Sequence, residues 1–210
     1  MHDLGAGRVG IGVGDVSGRG MNAAIVMGQA RSGMRAAAHA ALSPADLLTM
    51  LDAQVAELVA CDGADEQPLM ARFATALYAV IDLFAQTLRI ANAGHLPLLV
   101  RHPSGQVRRV NAPAGAPLGL ALGGYEEVVV EFRAGSALLA FTDGLVESRT
   151  MDVDAGIDRI AAVLTGVGPD TDLAGVADEL LDSADSADDT ALVLLRTVAD
   201  TVLAARSRPG

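Results

Sequence analysis

The sequence has 210 residues, enough for one domain with a full hydrophobic core and few for two. Its net charge of −11 argues against a nucleic-acid partner, because phosphate backbones are bound mainly through Lys and Arg. Although 51% of the residues are hydrophobic, no uninterrupted apolar stretch is long enough to cross a membrane, and the N-terminal residues MHDLGAGR do not resemble a signal peptide. We therefore expect a cytoplasmic protein with one domain over 1–198 and a flexible tail over 199–210.

The first third of the chain predicts a strand followed by two helices. Arg8–Val16 alternates small and β-branched residues, which is typical of a buried strand. An Ala-rich stretch without proline predicts a helix over 21–40. A second helix begins at Ser43 and Pro44, and its buried face is formed by apolar residues at helical spacing, Leu47, Leu48, Leu51, Val55 and Leu58. The only cysteine, Cys61, is expected to be a structural thiol at the end of this helix.

A polar loop over 62–67 precedes a change in the apolar pattern. Short apolar runs between turn residues then predict antiparallel strands in hairpin succession, at 73–83, 87–93, 96–101 and 106–110. The elements predicted after a Gly/Pro-rich loop are strands at 126–132 and 136–142, helices near 154–164 and 171–183, and a strand at 190–197. This order predicts an α+β fold in which two antiparallel sheets pack on each other and helices cover their outer faces.

Several aspartates lie next to predicted strands. Asp15 follows one strand in the motif GDVSGRG, Asp143 follows another in TDG, and Asp188 and Asp189 precede the last strand. If the last two strands are antiparallel neighbours, the carboxylates of Asp143 and Asp188 project from one sheet edge, which Asp15 can also reach. Each motif alone is a common turn signature. Together they predict a metal site, because converging carboxylates need a cation among them, and such oxygen ligands favour Mg²⁺ or Mn²⁺ over zinc.

Other conspicuous residues are expected to be structural. His95 ends the motif NAGH, whose Asn and Gly favour a turn. Gly10, Gly12 and Gly14 lack the spacing of a dinucleotide-binding loop and are expected to allow close packing of their strand. Arg19 fits either a contact to a substrate phosphate or a solvated arginine beside a turn.

A set of motifs runs in order through nearly the whole chain: GDVSGRG, FATALYAVID, IANAGHLPLLV, APLGL, LLAFTDGLVESR and DDTALVLLR. At these separations they resemble the bacterial SpoIIE/RsbU-type branch of the PP2C (PPM) metal-dependent protein serine/threonine phosphatases. The resemblance implies an α-β-β-α sandwich that hydrolyses phosphoserine or phosphothreonine. It further implies a phosphoprotein substrate of the anti-sigma-factor antagonist type, in a partner-switching pathway, and a possible homodimer formed through the helices near the first metal motif.

The resemblance also implies roles for individual residues. Asp15 matches the catalytic aspartate that bridges two metal ions, and the backbone carbonyl of Val16 matches the adjoining ligand. Asp143 and Asp188 match the other ligands of the first metal, and Asp188 is preferred to Asp189 because the second position tolerates Asn in the wider family. Two Mn²⁺ or Mg²⁺ ions would then share the hydroxide that attacks the phosphoryl group.

One segment of the family pattern is missing from this sequence. Members normally carry GGD-[FWY]-YD before the hairpin that leads into GDV, and its aspartate helps to hold the second metal, whereas this sequence begins with MHDLGAGRVGIGVGDV. The intact later motifs favour a late start of the sequence over a true loss. Two hypotheses follow: an active phosphatase, or a truncated, catalytically weak or inactive relative that acts as a protein-binding regulatory module.

Overall fold

The computed structural model describes residues 1–18, 20–61, 73–148, 151–184 and 189–198. In chain order its strands are β1 (His2–Gly5), β2 (Arg8–Val16), β3 (Ala74–Asp82), β4 (Thr87–Ala93), β5 (Leu98–Arg101), β6 (Val107–Val110), β7 (Ala114–Gly115), β8 (Glu127–Glu131), β9 (Ala137–Phe141) and β10 (Leu192–Arg196). Its helices are α1 (Met21–His39), α2 (Pro44–Cys61), α3 (Val153–Thr165) and α4 (Leu173–Asp182). The predicted α+β class is confirmed, and the predicted elements agree with these bounds to within two residues.

The chain divides into two compact units, each with one sheet and two helices. The first contains a six-stranded sheet in the order β1-β2-β3-β4-β7, with β8 also paired to β4. The second contains a four-stranded sheet in the order β10-β9-β5-β6, whose neighbours are all antiparallel. Helices α1 and α2 pack in the first unit, and α3 and α4 pack in the second.

Two features of the sheets differ from the prediction. Although β4 and β5 follow each other in the sequence, they belong to different sheets, so the predicted hairpin succession is broken between them. The two-residue strand β7 lies parallel to β4, so the first sheet is not purely antiparallel. Hydrophobic alternation marks each strand but does not reveal which sheet the strand joins, since the same pattern suits either one.

Close packing explains the alternating glycines of β2. A Cβ atom at Gly10 would overlap the hydroxyl of Tyr78, and one at Gly12 would overlap the Sδ atom of Met34 in α1. The prediction that these glycines serve packing is therefore confirmed.

Helix α2 begins as its sequence predicts. The hydroxyl of Ser43 accepts a hydrogen bond from the backbone N–H of Asp46 at 3.2 Å, which is N-cap geometry. The helix ends at Cys61, the helix-end position expected for this residue. Four residues of the predicted face, Leu47, Leu48, Leu51 and Val55, expose no surface, and the fifth, Leu58, is partly buried.

Asp52, also in α2, is a buried carboxylate that hydrophobic periodicity does not reveal. Its exposed fraction is 2%, and its oxygens accept hydrogen bonds from the backbone N–H groups of Gly119 (2.8 Å), Ala121 (3.1 Å) and Gly123 (3.1 Å). Burial raises the pKa of the neighbouring Tyr125, and the Asp52 carboxylate raises it further. One carboxylate thus fixes the Gly/Pro-rich loop on α2.

We expect Asp52→Asn to lower the free energy of unfolding by about 2 kcal/mol, because the amide places an N–H₂ group where a backbone N–H needs an acceptor. Chemical denaturation followed by circular dichroism measures this loss. Glu57→Gln is the matched control, since Glu57 is an exposed carboxylate on the same helix and its change should cost less than about 0.5 kcal/mol. Equal stability of the two variants would contradict the stabilising role of the hydrogen bonds that Asp52 accepts.

Some predicted features lie outside the described residues: Arg19, the loop over 62–67, Asp188 and the tail over 199–210. Across the described ranges, no helix combines the length and apolar character needed to span a membrane.

Candidate metal-binding site

Asp15 lies near the end of β2, where backbone pairing holds the strand firmly. It is partly buried and sits opposite Thr75 of β3. The pairing continues beyond the strand, because the backbone N–H of Ser17 donates to the carbonyl of Phe73 at 2.9 Å. The hydroxyl of Ser17 also bonds Phe73: it accepts from the N–H of Phe73 at 3.0 Å and donates to the carbonyl oxygen of Phe73 at 2.8 Å. Asp15 and Val16 are therefore carried by a strand end with fixed geometry.

The NAGH motif forms a turn beside this strand end. The side chain of Asn92, which is 4% exposed, accepts from the backbone N–H of His95 at 2.7 Å and donates to its carbonyl at 2.8 Å. Gly94 has φ +72°, a left-handed conformation that glycine adopts easily. These contacts confirm that His95 is a turn residue. Its Nδ1 also lies 2.9 Å from the hydroxyl of Thr75, the cross-strand neighbour of Asp15.

Asp143 opens a short 3-10 helix, Asp143–Leu145, directly after β9. It is partly buried, and its Oδ1 atom accepts from the backbone N–H of Gly144 at 2.9 Å. Its carbonyl accepts from the N–H groups of Val146 and Glu147, both at 2.8 Å. The side-chain carboxylate and the backbone carbonyl of Asp143 are thus both fixed by N–H groups of the residues that follow.

The TDG and DDTA motifs meet at one edge of the second sheet. Strands β9 and β10 are antiparallel neighbours, with Phe141 opposite Leu192, so the condition on which the shared edge of Asp143 and Asp188 depended is met. The pairing extends through Thr142, whose backbone N–H donates to the carbonyl of Ala191 at 3.0 Å and whose hydroxyl accepts from the N–H of Ala191 at 2.9 Å. The same hydroxyl lies 3.3 Å from the carbonyl oxygen of Asp189. The segment after β9 and the segment before β10 are therefore joined by hydrogen bonds.

Gly144 makes this approach possible. A Cβ atom at this position would lie 2.7 Å from the carbonyl oxygen of Asp189 and 2.8 Å from the hydroxyl of Thr190. Real Cβ atoms do not come so close to a backbone oxygen, so the two segments can touch only through a glycine. Neither Thr142 nor Gly144 was assigned a role from the sequence, although both lie inside the TDG motif.

The structure corrects one part of the predicted site. The prediction that Asp15 shares a sheet edge with Asp143 and Asp188 is wrong, because β2 pairs with β1 and β3 in the first sheet while β9 belongs to the second. Asp188 lies outside the described residues, and the neighbouring Asp189 is exposed. Within the described ranges, no group of three or more His, Cys, Asp or Glu side chains is arranged to hold a metal ion.

Comparison with known proteins identifies the family. The model of the family described as Stage II sporulation protein E (SpoIIE) matches residues 5–198. The RsbU and RsbW domains of Rv1364c from Mycobacterium tuberculosis share 25% identity at a TM-score of 0.74, over 92% of this chain and 52% of that chain.

Two further solved structures show the same fold. The PP2C phosphatase domain of SpoIIE from Bacillus subtilis, with a fragment of its regulatory domain, shares 18% identity at a TM-score of 0.73, over 93% of this chain and 56% of that chain. RsbX in complex with magnesium shares 16% identity at a TM-score of 0.67, over 89% of this chain and 80% of that chain. The chain thus spans about half the length of the Mycobacterium and Bacillus chains. The predicted PP2C-like fold is confirmed, and the chain belongs to the SpoIIE family of PP2C-type phosphatase domains.

Proposed function

We propose that this chain is a metal-dependent protein serine/threonine phosphatase. Its divalent cations would be held by the carboxylates of Asp15, Asp143 and Asp188 and by the backbone carbonyl of Val16. The observation that carries most weight is the junction at the ends of β9 and β10, where the Asp143 segment touches the backbone of Asp189, the residue after Asp188. Two of the proposed ligands therefore come from segments that contact each other.

The donor chemistry fits a cation of the Mg²⁺ or Mn²⁺ class. The proposed ligands are carboxylate and carbonyl oxygens, which hard divalent cations prefer, whereas zinc prefers Cys and His. The single Cys61 lies at the end of α2, and the Nδ1 atom of His95 is engaged by Thr75. The magnesium named for RsbX, a protein of the same fold, supports this class of ion.

The chain would contribute to catalysis mainly by holding the metal-binding carboxylates in fixed positions. A bound pair of divalent cations lowers the pKa of water towards neutrality and offsets the charge of the phosphoryl oxygens. The orientation of the Asp143 carboxylate is set by the N–H of Gly144, and the position of Asp15 is set by the pairing of β2 with β3. No serine nucleophile is required, and the hydroxyl of Ser17 in GDVSGRG bonds to the backbone of Phe73 instead.

The substrate we propose is a phosphoserine or phosphothreonine protein of the anti-sigma-factor antagonist type. The likeness to a chain that carries RsbU and RsbW domains supports this choice, as does the family match. A partner-switching role of this kind would place the protein in the cytoplasm.

We also propose that α1 binds a second copy of the chain. Met21 and Ile25, one helical turn apart, are 76% and 48% exposed, which is unusual for large apolar side chains. Ile25→Glu should then shift the mass measured by light scattering after gel filtration from dimer to monomer. A parent chain that is monomeric at every concentration would contradict this proposal.

Removal of the metal tests the catalytic proposal. The chain should release inorganic phosphate from a phosphoserine-containing protein substrate in Mn²⁺ and fall to background in EDTA, with recovery when Mn²⁺ is restored. Equal release in EDTA would contradict metal dependence. Binding of Mn²⁺ or of the phosphoprotein without any release would instead favour the alternative, a non-catalytic regulatory module.

A further inference from the structure

Arg159 in α3 connects two segments of the second unit. Its Nη2 atom donates to the carbonyl of Leu145 at 2.9 Å, and its Nη1 atom donates to the hydroxyl of Ser183. Leu145 is the last residue of the 3-10 helix that Asp143 opens, and Ser183 is the C-cap of α4. One guanidinium therefore bonds the segment that carries Asp143 and the end of the helix that precedes Asp188.

At Gly156, helix α3 packs directly against the backbone of the segment that follows Asp143. A Cβ atom at Gly156 would overlap the carbonyl oxygen of Val146 and lie 2.8 Å from its Cα atom. Gly156 and Arg159 are three residues apart and therefore lie on the same face of α3. Gly156 contacts the backbone of Val146, and Arg159 donates a hydrogen bond to the backbone of Leu145, so both residues hold the segment just after Asp143.

The chemistry of arginine suits this position. Its planar guanidinium carries five N–H donors in a rigid fork, so it can bond two acceptors on different sides at once. One acceptor, the Ser183 hydroxyl, lies at the C-terminal end of α4, where a cation is favoured, and the other is the backbone carbonyl of Leu145. Ser183 is itself fixed, because its hydroxyl donates to the carbonyl of Leu180 at 2.7 Å.

We propose that Arg159 is a positioning residue of the metal site. It fixes the segment that carries Asp143 against the end of α4. The inference rests on the proposed function, because Asp143 matters here as a metal ligand. Loss of the guanidinium should free both segments and weaken Mn²⁺ binding without unfolding the protein.

Arg109 provides a matched control. Its guanidinium lies outside α3 and pairs with the exposed carboxylates of Asp154 and Asp158 of that helix at 2.5 and 2.7 Å, away from Leu145 and Ser183. Arg109→Met and Arg159→Met therefore each remove a guanidinium that joins α3 to another segment, and only the second removes contacts to the proposed site.

The test compares Mn²⁺ binding, thermal unfolding and backbone amide exchange in Arg159→Met, Arg159→Lys and Arg109→Met. Arg159→Met should raise the Mn²⁺ dissociation constant by about tenfold or more and speed exchange of the Val146 and Glu147 amides, which bond Asp143. Arg159→Lys should restore the melting temperature but at most part of the affinity, because a compact ammonium lacks the rigid fork with which the guanidinium reaches an acceptor on each side. Arg109→Met should bind Mn²⁺ as the parent does.

Each contrary result has a distinct meaning. If Arg159→Met loses stability but keeps the parent Mn²⁺ affinity, Arg159 is only structural and the inference is overturned. If Arg159→Lys binds Mn²⁺ as tightly as the parent, the bonds of one guanidinium to both segments are not needed and the inference is overturned. A parent chain that binds no Mn²⁺, or binds it equally well as Asp143→Asn, would overturn the proposed function and this inference with it.

Discussion

Asp143→Asn is expected to reduce Mn²⁺-dependent phosphate release by at least about 100-fold. The substitution replaces a charged carboxylate by a neutral amide and so removes the negative charge that attracts the divalent cations. The fold should survive, because the amide oxygen of asparagine can still accept the hydrogen bond that Asp143 accepts from the N–H of Gly144. The loss should therefore appear in activity and Mn²⁺ affinity while the melting temperature stays close to that of the parent.

Asp154→Asn is the control for this substitution. Asp154 is an exposed carboxylate of the same unit, paired with Arg109 at the start of α3. Exposed ion pairs contribute little to stability, so this variant should keep both the activity and the fold. If Asp143→Asn retains the activity of Asp154→Asn, Asp143 is not a ligand of the reacting site.

Gly144→Ala is expected to reduce activity by about 100-fold through geometry alone, because misplacement of a catalytic group by an ångström has effects of this size. The new methyl group would lie 2.7 Å from the carbonyl oxygen of Asp189, a backbone atom that cannot turn away. The segments carrying Asp143 and Asp189 would have to separate. Overpacking of this kind also costs about 1–3 kcal/mol in stability, which chemical denaturation would measure.

Gly168→Ala controls for the general effect of adding a methyl group to a glycine of the second unit. A Cβ atom at Gly168 would meet only the hydroxyl of Thr171, at 3.6 Å, which is an ordinary contact. This variant should keep its activity. Full activity in Gly144→Ala would mean that the close approach of the two segments does not matter for catalysis.

Local signals in the sequence predicted the elements well. Ser43 and Pro44 mark the start of α2 because a hydroxyl can cap the free N–H groups of a helix and proline needs no donor in the first turn. The bounds of β2 and β4 were predicted to the residue, since small and β-branched residues alternate in β2 and β4 is an apolar run between turn signals. These signals depend on neighbours in the chain and can be read directly.

Pairings between distant segments could not be read in the same way. Placing Asp15 in the first sheet requires knowing that β2 pairs with β3, which begins 58 residues after the end of β2. Asp52 is buried because three N–H groups of a loop at least 67 residues away point at it. One signal could have revealed it: Asp52 lies on the helical face between Leu48 and Val55, where only a satisfied charge is tolerated.

The arrangement of the candidate site could be predicted only in part. In the sequence-based prediction the shared edge was conditional on the pairing of β9 with β10, and the structure shows that pairing and the contacts of Thr142 with Asp189 and Ala191. The supporting residues Gly144, Gly156 and Arg159 were not predicted, because each acts through backbone atoms of another segment, and backbone contacts leave no side-chain pattern in the sequence.

The most direct test of the central claim is the position of Mn²⁺ in crystals of the chain soaked with the ion, located by anomalous scattering. We predict a Mn²⁺ peak within coordination distance of the carboxylates of both Asp15 and Asp143, because the proposed function assigns both aspartates to one metal site. Peaks that touch neither carboxylate, in crystals whose Mn²⁺ binding has been verified in solution, would contradict the account.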